Sequence, residues 1–345
     1  MHMSKVFMST VCRINNKLKQ WVIETVSRSR TRTLLSAQPK NFKPIRAVSI
    51  TRLLIALFLL FSQAAFAAID LVDDTGQKLS LLQAPRRIVT LAPHVTELVY
   101  AVGAGAQLVG VDSASDYPEQ PQSLSRIGDF SRVNFERIAA LRPDLIIAWA
   151  SGNRAADIYK LRHMGIPVLL TEAHRLADVA RLLRLIGRAT AHQGRGEAAA
   201  QDFERKLRAI REQYAGEPSR RVFYQVWEKP LITLGGQHWI SDAMALCGGR
   251  NIFSDLQATA PVVSVESVLA RAPEMIVSGT DAPDARAAWQ RFPQLPAVRR
   301  NAFIRMNADT LHRPTPRLLE GVATLCSAIS RYEPSSQPSP RNGGR

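Results

Sequence analysis

The chain has 345 residues, 46% of them hydrophobic and 21% charged, a globular composition whose length suits a leader plus two modest domains better than one core. Its formal net charge of +16 sits largely at the front, where residues 1–67 hold 11 Lys/Arg against one acid, Glu24, leaving 34 basic and 28 acidic residues. A body so nearly balanced, without a dense Lys/Arg run interleaved with aromatics, excludes the usual nucleic-acid surface.

The run LLIALFLLFSQAAFA follows Arg52, has an apolar core over 53–61, and ends in the small-x-small pattern Ala65-Phe66-Ala67. It reads as a secretory signal peptide cleaved after Ala67. An uncleaved anchor is the alternative, although the charge-free span Leu53 to Ile69 is at the lower limit for crossing a bilayer. The stretch before Val48 has neither periodicity nor a core, and the coding start is expected at Val48. No Cys adjoins the cleavage site, which disfavours a lipid anchor. Export leaves Cys247 and Cys326 in an oxidising compartment, either paired or as two buried thiols.

Beyond the leader, the first lobe (68–192) alternates: strand Ile88–Leu91, helix Thr96–Val102, strand Leu108–Val111, helix Phe135–Leu141, strand Leu145–Trp149, helix Ala155–Met164, strand Val168–Leu170. That order predicts a parallel α/β sheet. In the linker (193–218), Ala199, Phe203, Leu207, Ile210 and Tyr214 recur at helical spacing. One amphipathic helix from Glu197 to Tyr214, roughly 27 Å long, is predicted to bridge the lobes, with Gly194 and Gly196 flanking its start. The second lobe (219–332) repeats the theme from Val222 to a helix Pro316–Tyr332, and 333–345 reads as a disordered tail.

An internal repeat supports the two-lobe reading. NFERIAALRPDLIIAW from Asn134 matches SVESVLARAPEMIVSG from Ser264: a Glu opens a short helix, Pro-acid follows, and an apolar strand comes next. A second match pairs RRIVTLAPHVTELVYAVGAG with the stretch from Arg220, each running strand, loop, helix, Gly. Two copies at this period imply duplicated Rossmann-like lobes, not a solenoid.

Catalytic signatures are sparse: there is no Gly-x-Ser-x-Gly elbow, phosphate loop or His-Glu-x-x-His helix, and no histidine has a partner at metal-ligand spacing. Neither catalysis nor a resident cofactor is expected. Loops after strands face the ligand crevice in such sheets. That singles out His94 and His238, and the aromatics Tyr117, Phe130, Trp149 and Trp227, which supply flat apolar contact to a large planar ligand. Glu136 and Glu266 could be ordinary first-turn acids favoured by the helix dipole. Their matched positions suit docking onto a two-fold partner bearing arginines.

From about Arg86 to Ser330 the chain resembles the helical-backbone (class III) periplasmic binding proteins of ABC importers, in their cobalamin-binding branch. The resemblance rests on TLAPHVTELVYAVG, VGVDSASDYPEQ, NFERIAALRPDLIIAW, LCGGRNIFSDL, SVESVLARAPEMIV and RPTPRLL. It implies a monomer in the periplasm that binds cobalamin or a related corrinoid and passes it to an inner-membrane permease with its ATPase. The lobes would close little, Tyr117, Trp149, Asp309 and Arg313 would face the corrinoid, Glu136 and Glu266 would meet permease arginines, and Cys247 and Cys326 would form a disulfide. The chain departs from the branch at Phe130, Ala260 and Thr310, where tryptophans line the family's cleft, and Trp227 can restore part of that surface. The alternative ligand is haem or a ferric siderophore, with Tyr117 or His94 available to haem iron.

Overall fold

The computed structural model describes residues 68–119, 123–279 and 284–332. The leader with its cleavage after Ala67, the start at Val48 and the tail 333–345 lie outside the described residues.

The described chain opens on an antiparallel hairpin absent from the sequence reading, β1 (Ile69–Val72) with β2 (Lys78–Leu81). The first sheet follows: β3 (Ile88–Thr90), β4 (Leu108–Val111), β5 (Ser125–Arg126), β6 (Leu145–Trp149) and β7 (Val168–Thr171). All its pairings are parallel, in the order β5-β4-β3-β6-β7. Its helices are α1 (Pro93–Ala101), α2 (Phe135–Leu141) and α3 (Ala155–His163). Two helices, α4 (Asp178–Ala189) and α5 (Gln193–Gln213), lead to the second sheet of β8 (Arg220–Gln225), β9 (Gly249–Asn251), β10 (Met275–Gly279) and β11 (Phe303–Met306). That sheet is also parallel, in the order β11-β10-β8-β9. Helices α6 (Trp239–Leu246), α7 (Val265–Arg271), α8 (Ala285–Trp289) and α9 (Pro296–Arg299) connect its strands. After β11 come α10 (Ala308–Leu311) and α11 (Leu318–Ser330).

The central strands are buried along most of their length, as expected where helices cover both faces of a parallel sheet. In β6, Leu145 to Ala148 are buried, and all five residues of β10 are.

The repeat seen in the sequence has a physical basis. Asn134 caps α2 by accepting from the Arg137 N–H, and Ser264 caps α7 by accepting from the Ser267 N–H. Both helices end on a left-handed residue, Arg142 (φ 46°) and Ala272 (φ 43°), and Pro143 or Pro273 then prevents continuation. The acid after each proline ties down the neighbouring strand. Asp144 accepts from the backbone N–H groups of Arg86 and Arg87, and Glu274 accepts from that of Arg221.

The linking helix is longer than its apolar spacing predicts, starting at Gln193 instead of Glu197, so Gly194 and Gly196 lie inside it. At Gly196 the reason is packing: a Cβ there would meet the Leu183 carbonyl oxygen at 2.7 Å and the Gly187 Cα at 3.0 Å. The missing side chains let α4 and α5 touch backbone to backbone. Ala200, Phe203 and Leu207 of α5 are buried in a contiguous apolar cluster that also holds Ile88 and Leu145 of the first sheet, Val222 and Met275 of the second, and Leu325 of α11. Cys247 and Cys326 are joined by a disulfide. Cys247 stands at the C-terminal end of α6 and bonds to Cys326 within α11.

Candidate functional site

Two loops and a helix of the first sheet meet one corner of the second. From the first sheet, β3 passes through Leu91 and Ala92 into Pro93 at the head of α1, which carries His94 in its first turn and Glu97 one turn later. The loop after β4 carries Asp116 and Tyr117. From the second sheet, Asn307 caps α10 by accepting from the Asp309 N–H, and the chain continues through Arg313 to Arg317 at the head of α11.

These groups form one charged cluster. Arg313 Nη1 donates to Glu97 Oε1 at 3.0 Å and to Asp116 Oδ1 at 2.5 Å, while its Nη2 lies 2.8 Å from Asp309 Oδ1. Arg317 grips the same glutamate with Nε (3.1 Å, to Oε2) and Nη2 (2.7 Å, to Oε1). Its guanidinium carbon lies 3.6 Å from the centre of the Tyr117 ring, a cation–π contact. Tyr117 remains 45% exposed, with its ring backed by the Arg317 charge. Partial burial opposes ionisation of Arg313 and Arg317, but hydrogen bonds to Glu97, and to Asp116 for Arg313, outweigh it and raise both above the usual arginine value. For Asp116, too, burial is outweighed by Arg313, which holds its carboxyl below the ordinary range.

His94 is buried, its ring edge-on to Trp149 with centroids 5.1 Å apart. Burial first, then the charge of Arg313, lowers its pKa to about 3, so it is neutral. It lies in α1, not in the loop that the sequence suggested. Trp149, half-buried at the end of β6, donates its indole N–H to Glu172 Oε1 at 3.0 Å, and Asn153 accepts from its backbone N–H. His238 caps α6 by accepting from the Ile240 N–H. Below α10, the Tyr224 hydroxyl lies 2.7 Å from His312 Nε2, and Trp239 donates to the Leu311 carbonyl.

Of the residues singled out from sequence, Tyr117, Asp309 and Arg313 therefore share one network, and His94 and Trp149 pack beside it. Phe130 and Trp227 are exposed on separate short hairpins, Gly128–Val133 and Trp227–Ile232, bridged antiparallel. Glu136 and Glu266 are exposed in the first turns of α2 and α7. A cavity of about 730 Å³ beside Glu136 is lined by Arg126, Arg132, Arg137, Arg154 and Lys160, among others. Sequence reasoning missed Glu97, Asp116, Arg317 and Glu172. Glu97, Asp116 and Arg317 lie in the strings TLAPHVTELVYAVG, VGVDSASDYPEQ and RPTPRLL that carry the family resemblance, but none was singled out.

The comparisons agree with this layout. The profile of the periplasmic binding protein family matches residues 88–310. The chain belongs to the periplasmic binding protein family. Within it, a curated relative, the vitamin B12-binding protein of Vibrio cholerae serotype O1, is 40% identical over 254 residues, covering 72% of this chain and 92% of the relative. The crystal structure of the periplasmic vitamin B12 binding protein BtuF of Vibrio cholerae superposes with a TM-score of 0.66 at 39% identity, over 72% of this chain and 99% of that one. A periplasmic heme binding protein from Pseudomonas aeruginosa gives 0.63 at 25% identity, over 74% and 96%. Two parallel-sheet lobes linked through a long helix are the class III form of the periplasmic binding protein fold.

Proposed function

We propose that this protein captures cobalamin or a related corrinoid between its lobes, 68–192 and 219–332, in the periplasm, and delivers it to an ABC importer without catalytic turnover. The observation that carries the ligand class is the 40% identity, across 254 residues, to proteins named for vitamin B12 binding. The cleft supports it. Tyr117 offers an open ring face, Trp149 a half-buried one, and Arg313 and Asp309 polar contacts at the edge of a large planar ligand. Phe130 and Trp227 extend the apolar surface from the hairpins, and His94 supports Trp149 from behind. Glu136 and Glu266 are the docking carboxylates for an inner-membrane permease with its ATPase, one on each lobe.

Haem is the second reading, favoured by the exposed ring of Tyr117 and by the 25% identical heme-binding relative. His94 counts against it as an iron ligand, because it is only 6% exposed and closed off by Trp149. A ferric siderophore would call for several cations in the cleft, whereas Arg313 and Arg317 are already bound to carboxylates.

The test is isothermal titration of residues 68–345 with cyanocobalamin, dicyano-cobinamide and haemin in parallel. Stoichiometric heat with a corrinoid and none with haemin is the expected result. Haemin binding alone would overturn the ligand while leaving the transport role.

A further inference from the structure

The cluster between the sheets carries three carboxylates, Glu97, Asp116 and Asp309, against two guanidiniums, Arg313 and Arg317. Its formal balance is one negative charge, and the half-buried Glu172 beside Trp149 adds another carboxylate nearby. The three carboxylates differ in how open they are to a ligand. The side chains of Asp116 and Asp309 are 55% and 56% exposed, so N–H groups of a ligand can reach them. That of Glu97 is 3% exposed and holds both arginines at once, so it stays.

A ligand carboxylate arriving here meets arginines whose strongest partner cannot leave, in a setting already negative. An amide meets no such conflict: its carbonyl oxygen can accept from a guanidinium edge while its N–H groups donate to Asp116 or Asp309. Resting on the corrinoid reading above, we propose that Glu97 is a specificity-determining residue. By keeping Arg313 and Arg317 charge-matched, it selects planar rings with an amide periphery and rejects those with a carboxylate periphery.

Two corrinoids separate these properties on one ring system: dicyano-cobinamide, with amide side chains, and dicyano-cobyrinic acid, with carboxylates. Titration calorimetry of the wild-type protein is expected to favour the amide ring by at least ~100-fold. Glu97→Gln, checked for folding by circular-dichroism melting, is expected to narrow that preference by about tenfold. Glu97→Asp keeps the charge but withdraws the carboxylate by one methylene, so it should match Arg313 and Arg317 less well and narrow the preference too, which decides the matter if Glu97→Gln does not fold. Equal affinity of the wild type for both rings, or an unchanged ratio in the folded variants, would overturn the role of Glu97 and leave the corrinoid reading intact. Binding of neither ring would remove the corrinoid reading, and this inference with it.

Discussion

His94 and His238 occupy corresponding places, each at the entry to the helix that follows the first strand of its sheet, and both are buried. Burial lowers each to about 3, reinforced by Arg313 for His94 and by His312 and His174 for His238. The unfolded chain takes up these protons near pH 6.5, as free histidine does, whereas the folded chain refuses them until near pH 3. Stability is therefore fully present above about pH 6.5 and falls as the pH drops below it, by an amount on the order of a few kcal/mol across that window. His238→Asn should keep the cap on α6, since asparagine also accepts at that position, while removing one of the two titrations. Urea melts at several pH values between about 4 and 7 should show the acid-side slope reduced by roughly one proton. An unchanged slope would mean that His238 takes up its proton in the folded state.

Among the elements, the capped helix followed by proline and an acid is the unit that the chain uses twice. Replacing Asp144 by Ala removes the acceptor for two backbone N–H groups at the head of β3, and should cost about 1.5–3 kcal/mol of unfolding free energy in denaturant titrations. This unit was legible from sequence because its parts are local. Phe135–Leu141 and Leu145–Trp149 were predicted to the residue, each fixed by a cap, a proline and a run of buried aliphatics. By contrast, α4 went unread although Val179, Leu182, Leu183 and Ile186 give it an apolar face. The start of α5 was misplaced because glycines ordinarily mark a helix end, and only the approach of Gly187 explains why Gly196 is inside. The charged cluster was half legible. Tyr117 could be named from its loop and Asp309 and Arg313 only from the family resemblance, while Glu97 looked like any helical glutamate, because its partners Arg313 and Arg317 lie 216 and 220 positions away.

At the scale of the whole molecule, the Cys247–Cys326 bond closes a loop of 79 positions. Restricting the unfolded chain by that loop is worth roughly 4 kcal/mol, so reduction should lower the melting temperature by roughly 10 °C in a calorimetric scan with and without reductant. The proposed docking through the two lobes should be unequal. Five cations, Arg126, Arg132, Arg137, Arg154 and Lys160, outnumber Asp129, Glu136 and Asp157 in the cavity beside Glu136 and oppose an incoming guanidinium, so Glu266→Gln should weaken association with the proposed permease more than Glu136→Gln, with corrinoid affinity unchanged in both. Pull-down from detergent-solubilised importer measures the difference. The apolar cluster that runs from the first sheet through α4 and α5 into the second has a consequence for traffic at the membrane. Lobes that share a core cannot swing apart without exposing it, so the outline should hardly differ between the empty and the filled protein. Under the proposed transport role, empty protein should then compete with filled protein for the same importer, and the rate of uptake should fall when the protein is produced in excess over its ligand.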